Sequence, residues 1–440
     1  MFFDQPLTTL VREAAARPDR LHGHYAALLT EIERRDATLQ SFCGISRVWL
    51  AGELDRLDKM AASGKEAGLF GLPVGVKDTI VVSGLPTKSG TATDVGRLLG
   101  LSQSPAVTQL QEAGAVIVAK QATHQFCSSA GPAATQSARG PEFYAGGSTV
   151  GGAAAVAAGF TRLALGSDAA GSIRHPAALA GVAGLRPRKG VISDRGQVNG
   201  DLSGQSTGLL ARSAIDIAMV FERCPALFSS PPDRPVIDRD RVTIGIPDIT
   251  LQTIDPAATT ALRLAATRLE EAGHTVVSTS LWQTQEAVDD FFFVMNFENW
   301  LFHKRLMTEH ADIYHPDVLR VMQTGASIEP HHADAARRRL TGYQQRFFEQ
   351  AGAEGLDMLL TPSIPWPDMR ADAGPSRALS AEGGRFTGIS NIYDLDSVTV
   401  PVERGPDGWP RSAMLHGLFV PLSRLLATAT TIDLHRADAA

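Results

Sequence analysis

The chain has 440 residues, 44% of them hydrophobic and 20% charged, and its 41 Lys+Arg against 47 Asp+Glu leave a net charge of -6. This is globular composition with chain enough for a sizeable core, and the length spans one large domain or two to three smaller ones. The acidic balance argues against non-specific nucleic-acid binding, since the densest basic run, Arg337-Arg338-Arg339, reads as a solvated helix face. The longest apolar stretch, Ala153 to Phe160, is far shorter than the ~18 apolar residues of a membrane span, so no membrane association is expected. The opening residues lack a basic segment followed by an apolar one. Cys43, Cys127 and Cys224 form neither a disulfide framework nor a Cys-x-x-Cys knuckle, so a reducing cytoplasm is the expected compartment. His-Glu-x-x-His, Gly-x-x-x-x-Gly-Lys-Ser/Thr and a strand-linked Gly-x-Gly-x-x-Gly are all missing, and neither a metal nor a nucleotide cofactor is expected.

Apolar residues recur at helical spacing in His24 to Leu39 and again in Val48 to Met60, which predicts a helical opening over residues 1–60 that covers a sheet. The run from Gly71 to Asp78 reads as a turn into a short buried strand ended by charge, followed by apolar Ile80 to Val82 and a Gly84-Leu85-Pro86 turn. Pro105 to Ala113 predicts a helix stopped by Gly114, with a buried strand over Ala115 to Ala119. Tyr144 to Gly190 is rich in Gly, Ala and Ser: an Ala-rich helix through Ala158, a short strand from Leu163 to Gly166 and a tight loop from Ser167 to Ser172. The helix-Gly-strand order returns at Ala257 to Val277, after a strand over Val242 to Ile246. Phe291 to Phe348 reads as helical with breaks at Pro316 and Pro330, Met358 to Pro362 as a buried strand, and 367–390 as a mobile loop. The expected fold is a single α/β domain over 1–440, with a central mixed, mostly parallel twisted sheet covered by helices on both faces. In that plan about 70–220 form the core and 221–440 complete the sheet and the substrate pocket.

The Gly/Ser-rich stretch is enclosed by apolar segments on both sides, which a linker would not be. Its backbone N–H groups can meet an anionic group, and its serines can serve as nucleophiles or relays. The order Gly146-Gly147-Ser148-Thr149, then Gly166-Ser167-Asp168-Ala169-Ala170-Gly171-Ser172-Ile173-Arg174-His175-Pro176, resembles the amidase signature family. Gly71 to Asp78 is similar to that family's lysine motif, and Gly184-Leu185-Arg186-Pro187 to the segment after its nucleophile. Further similarity at Glu112 to Lys120, Ala211 to Asp216 and Thr361-Pro362 extends the resemblance over roughly residues 25–430.

The resemblance implies the amidase signature fold and a cofactor-free amidohydrolase acting on a C–N bond of a small-molecule amide. Ser172 would be its nucleophile, Ser148 a bridging acid/base after a cis peptide bond, and Lys77 the general base. A free lysine ionises near pH ~10.4, and holding it neutral at neutral pH costs about 4 kcal/mol, which burial can supply. The resemblance also implies an oxyanion hole from the N–H groups of Ala169, Ala170, Gly171 and Ser172, fixed by Asp168 and Arg174 as an ion pair, with Thr149 in place of a second serine. Cys127 and Ser128 align with residues that line the acyl pocket, where small polar side chains suit a compact or polar acyl group. Asn391, Tyr393 and Asp394 fall in a loop region that often shapes the pocket, although ordinary turn structure is the plainer reading of each. Val150 stands where glycine is usual and could narrow the site, Arg188 where threonine is usual, and Lys120-Gln121-Ala122 lacks a Thr-Asn pair. These departures bear on substrate more than on reaction type. Two alternatives stay open: the amidase subunit of a transamidation complex, and a non-catalytic binding paralogue. Dimers are common among such enzymes, so a homodimer is an open expectation.

Overall fold

The computed structural model describes residues 2–65, 67–229, 236–252, 254–366, 369–372 and 384–435. Its strands are β1 (Phe42–Gly44), β2 (Pro73–Lys77), β3 (Val116–Gln121), β4 (Leu163–Asp168), β5 (Ala183–Arg186), β6 (Ser206–Ala211), β7 (Thr243–Pro247), β8 (Thr275–Thr279), β9 (Met358–Pro362), β10 (Asp396–Arg404) and β11 (Pro410–Gly417). They hydrogen-bond into one sheet of order β1-β3-β2-β4-β6-β5-β10-β11-β9-β7-β8.

The alternation of side chains along a strand sorts them into two apolar layers. Leu163 and Leu165 of β4 and Leu209 and Ala211 of β6 enter a large core with the helices Leu21–Leu39, Arg47–Ala62 and Ala214–Arg223. Ala164 and Leu210, one residue out of step, pack on the opposite face against the short helices Val150–Ala157 and Arg174–Ala180. At the other end of the sheet, Leu359 and Leu418 join a layer with the helices Gln285–Glu309, Pro330–Ala353 and Arg385–Ile392. Helices therefore cover both faces.

The sheet is mixed, as expected, but six of the ten strand pairings among the described residues are antiparallel. The mostly parallel expectation fails because β5 and β6 run against their neighbours and β10 and β11 form a hairpin. Parallel pairing is confined to β3-β2-β4 and β8-β7-β9, the places where helix-Gly-strand units occur. Ile80 contributes only an isolated bridge to Gln197. Of the loop expected over 367–390, residues 367–368 and 373–383 lie outside the described residues; from Arg385 the chain is helix rather than loop.

Candidate active site

β2 and β4 are parallel neighbours, with Val76 opposite Leu165, so their C-terminal ends bring Lys77 beside Ser167 and Asp168. The Lys77 side chain is fully buried, and its Nζ lies 2.8 Å from Ser148 Oγ, 3.0 Å from Ser167 Oγ and 3.2 Å from the Ser167 carbonyl. Burial lowers the amine's pKa from its ordinary value, while the nearby Cys127 thiol and the charge of Asp168 pull it back up. Ser148 follows a cis peptide bond from Gly147. A side chain at Gly147 would come within 2.5 Å of the His124 ring, so that position takes only glycine. The Thr123 hydroxyl donates to the Ser148 carbonyl at 2.9 Å, holding the same turn from the other side.

Ser172 lines a cavity of about 560 Å3, and the N–H of Thr149 donates to its carbonyl at 3.0 Å. The Thr149 hydroxyl in turn donates to the Ser167 carbonyl at 3.1 Å. Lys77, Ser148 and Ser172 thus come together, with only the Lys77–Ser148 link formed; the Ser172 hydroxyl makes no hydrogen bond among the described residues.

The loop before Ser172 is built on Asp168. Asp168 Oδ1 accepts from the Gly171 N–H at 2.7 Å and from Arg174 Nη2 at 2.8 Å, and Oδ2 from the Ile173 N–H and Arg174 Nε at 3.0 Å each. Both side chains are fully buried. Burial alone would push the Asp168 carboxyl upward, but Arg174 outweighs it and holds the group well below the usual carboxylate range. The Gly171 N–H is taken up by Asp168, and Ala169, Ala170, Gly171 and Ser172 all line the cavity. Gly171 has φ +110°, and a side chain there would strike Thr387 at 2.5 Å.

Cys127 and Ser128 line the cavity, as do Ala169 and Ala170. Asn391 lies in a helix, not a loop: Arg174 Nη2 donates to its Oδ1 at 2.7 Å and its Nδ2 donates to Asp168 Oδ1 at 3.1 Å. Tyr393 stacks on Phe347 at 4.0 Å, and Asp394 accepts from the Lys189 N–H at 2.9 Å, so both brace the fold. Val150 opens a helix and lines a separate recess with His124 and Tyr144, rather than the cavity that Ser172 lines. Arg188 is tied to Asp396 by its N–H at 2.7 Å and its Nε at 3.4 Å.

The far wall of the cavity is what the sequence reading missed. Trp282 and, from the helix Gln285–Glu309, Val288, Phe292 and Met295 line the same cavity as Ala169, Ala170, Gly171 and Ser172. Helical spacing shows that these residues share a face, but core and cavity wall have the same pattern. Among the described residues no cluster of three or more His, Cys, Asp or Glu could hold a metal ion, and no helix is long and apolar enough to cross a membrane.

The family model for amidases matches residues 25–420. The putative amidase AmiA2 of Mycobacterium bovis is 32% identical, with 97% of this chain and 92% of that protein aligned. One subunit of the glutamyl-tRNA(Gln) amidotransferase of Symbiobacterium thermophilum is 29% identical over 88% of this chain and 90% of its own. The structure of 6-aminohexanoate cyclic dimer hydrolase superposes with a TM-score of 0.80 at 19% identity, covering 99% of this chain and 97% of that one. The family match and the relatives make this chain an enzyme that hydrolyses amide C–N bonds. The chain belongs to the amidase signature family.

Proposed function

We propose that this enzyme hydrolyses a small-molecule amide through an acyl-enzyme on Ser172, with Ser148 as proton relay and Lys77 as general base. The observation that carries the reading is the buried Lys77 amine 2.8 Å from Ser148 Oγ with its pKa lowered, a base in contact with a hydroxyl relay. Ser172 Oγ attacks the carbonyl carbon as its proton passes to Ser148, whose own proton moves to neutral Lys77. Rotation of the free Ser172 hydroxyl towards Ser148 on substrate binding completes the relay, since such hydrogen bonds tighten in the Michaelis complex. Charge on the carbonyl oxygen meets the N–H groups of Ala169, Ala170 and Ser172. Loss of one such donor typically costs about 3–4 kcal/mol of transition-state stabilisation. The C–N bond then breaks as Lys77 returns its proton through Ser148 to the leaving nitrogen, and water repeats the sequence to release the acid. The supporting residues are Asp168, Arg174 and Thr149, and Cys127 and Ser128 contact the acyl group.

The test is labelling with a fluorophosphonate probe. Wild type acquires an adduct on Ser172 and Ser172→Ala does not; unlabelled, folded wild type would reject the reading. A second reading comes from the similarity to the amidotransferase component, under which glutamine is the ammonia source for a partner. It predicts glutaminase activity that rises when partner proteins are added. A homodimer is the assembly proposed for the hydrolase, checked by light scattering.

A further inference from the structure

Buried polar atoms normally find partners, and leaving one unpaired is costly. His175, Asn199 and Gln205 are 6%, 2% and 1% exposed, yet His175 Nε2, Asn199 Oδ1 and Gln205 Nε2 have no hydrogen-bond partner among the described residues. All three residues line the catalytic cavity, although they come from separate stretches of chain. His175 lies one helical turn beyond Ser172, with its N–H donating to the Gly171 carbonyl at 2.8 Å. Gln205 directly precedes Ser206, which pairs with Asp168, so it sits at the edge of the oxyanion loop. Asn199 is held in the left-handed region at φ +63°, and its Nδ2 donates to the Phe126 carbonyl at 3.3 Å. That bond orients the amide and leaves Oδ1 as a free acceptor.

We propose that His175, Asn199 and Gln205 form a subsite for a second, uncharged carboxamide or ureido group on the substrate, beside the amide that Ser172 attacks. The inference rests on the amidase reading and deepens it. Gln205 Nε2 donates, Asn199 Oδ1 accepts, and the imidazole can do either, a set that a C=O with an adjacent NH2 satisfies in full. A carboxylate has no donor for Asn199, and an ammonium has no acceptor for Gln205. Burial keeps the His175 ring neutral, with its pKa lowered to about 4. Among the described residues the charged side chains lining the cavity are Asp289 and Arg385, and Asp289 is exposed and already accepts from Gln285 at 2.8 Å. An ionised group held by His175, Asn199 and Gln205 would lose its hydration with no counter-charge among the three.

The test uses Ser172→Ala, so that binding is read without turnover, titrated calorimetrically with the diamides from malonamide to suberamide, each beside the monoamide of equal chain length. At least one diamide binds about tenfold or more tightly than its monoamide, the worth of one to two hydrogen bonds. Adding Gln205→Met or His175→Phe to that variant cuts the advantage to about twofold or less. Wild-type kcat/KM, read by ammonia release, follows the same ratio. The proposal is overturned where no diamide gains over its monoamide, the outcome if these atoms hold only water or the scissile amide itself. It is equally overturned where the gain survives both substitutions. Failure of the amidase reading looks different: folded wild type releases no ammonia from any member of the series, while the binding comparison still decides the subsite.

Discussion

The strands from residues 42–211 form one end of the sheet and those from 243–417 the other, and the two ends do different work. The first end carries Lys77 and Asp168 at the ends of β2 and β4, and Ser148 and Ser172 on short turns packed with Gly, Ala and Ser, where a side chain at Gly147 or Gly171 would clash. The second end contributes the bulky helices whose Trp282, Val288, Phe292 and Met295 close the cavity. Chemistry fixes residue identity and order, whereas a wall needs only volume and polarity, which many sequences supply. The largest effects should therefore come from the first end, the effects on substrate choice from the second, and the effects on stability from the bonds that join them.

Breaking the first end should abolish turnover and leave the fold standing. Ser172→Ala and Lys77→Met are expected to lower kcat/KM by about 10^3-fold or more, as losses from nucleophile and base units generally do. Ammonia release from a responsive amide measures this, with urea unfolding beside it to show that the variants remain folded. A loss of tenfold or less in either variant would remove that residue from the mechanism.

The joint between the ends is the buried Arg174, whose guanidinium binds Asp168 from β4 and Asn391 Oδ1 and the Thr387 carbonyl from the helix Arg385–Ile392. Arg174→Met leaves the Asp168 carboxylate buried without its cation and should cost about 3–5 kcal/mol of stability at neutral pH. The sign with pH follows from Asp168: its folded pKa is depressed, so its contribution is present above the ordinary carboxylate range and is lost as pH falls through and below that range. Urea midpoints of wild type and variant should accordingly converge in acid. A variant as stable as wild type at neutral pH would show that the two ends hold together without this ion pair.

The same division explains what could be read from the sequence. Gly114 ends a helix and a buried strand follows it, so β3 and its parallel neighbours were legible from local pattern alone. Lys77, Ser148 and Ser172 were singled out through the order of the motifs that resemble the family, and the structure brings the three to one end of the sheet. The hairpin of β10 and β11 was not. Pro401 interrupts its apolar run, and proline argues against a strand unless it sits where no ladder hydrogen bond is needed. In the structure the register shifts between Pro401 and Glu403, and Pro410 begins β11, so both prolines fall where their missing N–H is tolerated. Asn391 reads as turn in the sequence because its partners, Asp168 and Arg174, are more than two hundred residues away. Long-range pairings of this kind leave no local trace.

Substitutions in the far wall should change binding more than chemistry. Phe292→Ala removes a ring that is 38% exposed at the cavity, and the apolar contact it offers a substrate is worth about 1–2 kcal/mol. KM for an amide with an apolar portion should rise about tenfold with kcat little changed, while a short amide such as acetamide is affected less. Steady-state kinetics on the two substrates make the comparison. An equal loss in kcat for both would place Phe292 in the support of the catalytic loop rather than in the wall.

The smallest expected effect sharpens the boundary between wall and chemistry, because Cys127 belongs to both: it lines the cavity and lies near enough to the Lys77 amine to raise its pKa. Burial lowers the Lys77 pKa and the thiol raises it, so Cys127→Ala should lower it further. A base must be neutral to act, so the ascending limb of kcat/KM against pH should move towards acid, by less than about one pH unit, or ~1.4 kcal/mol. Stability carries the matching sign. Between the lowered folded pKa and the ordinary lysine value the unfolded chain binds more protons than the folded one, so stability rises with pH across that window, and Cys127→Ala widens it at the acid end. A limb that stays in place would mean that Lys77 is not the group whose ionisation governs the rate. A limb that moves towards alkali would mean that the thiol shields the amine from water more than it holds its proton.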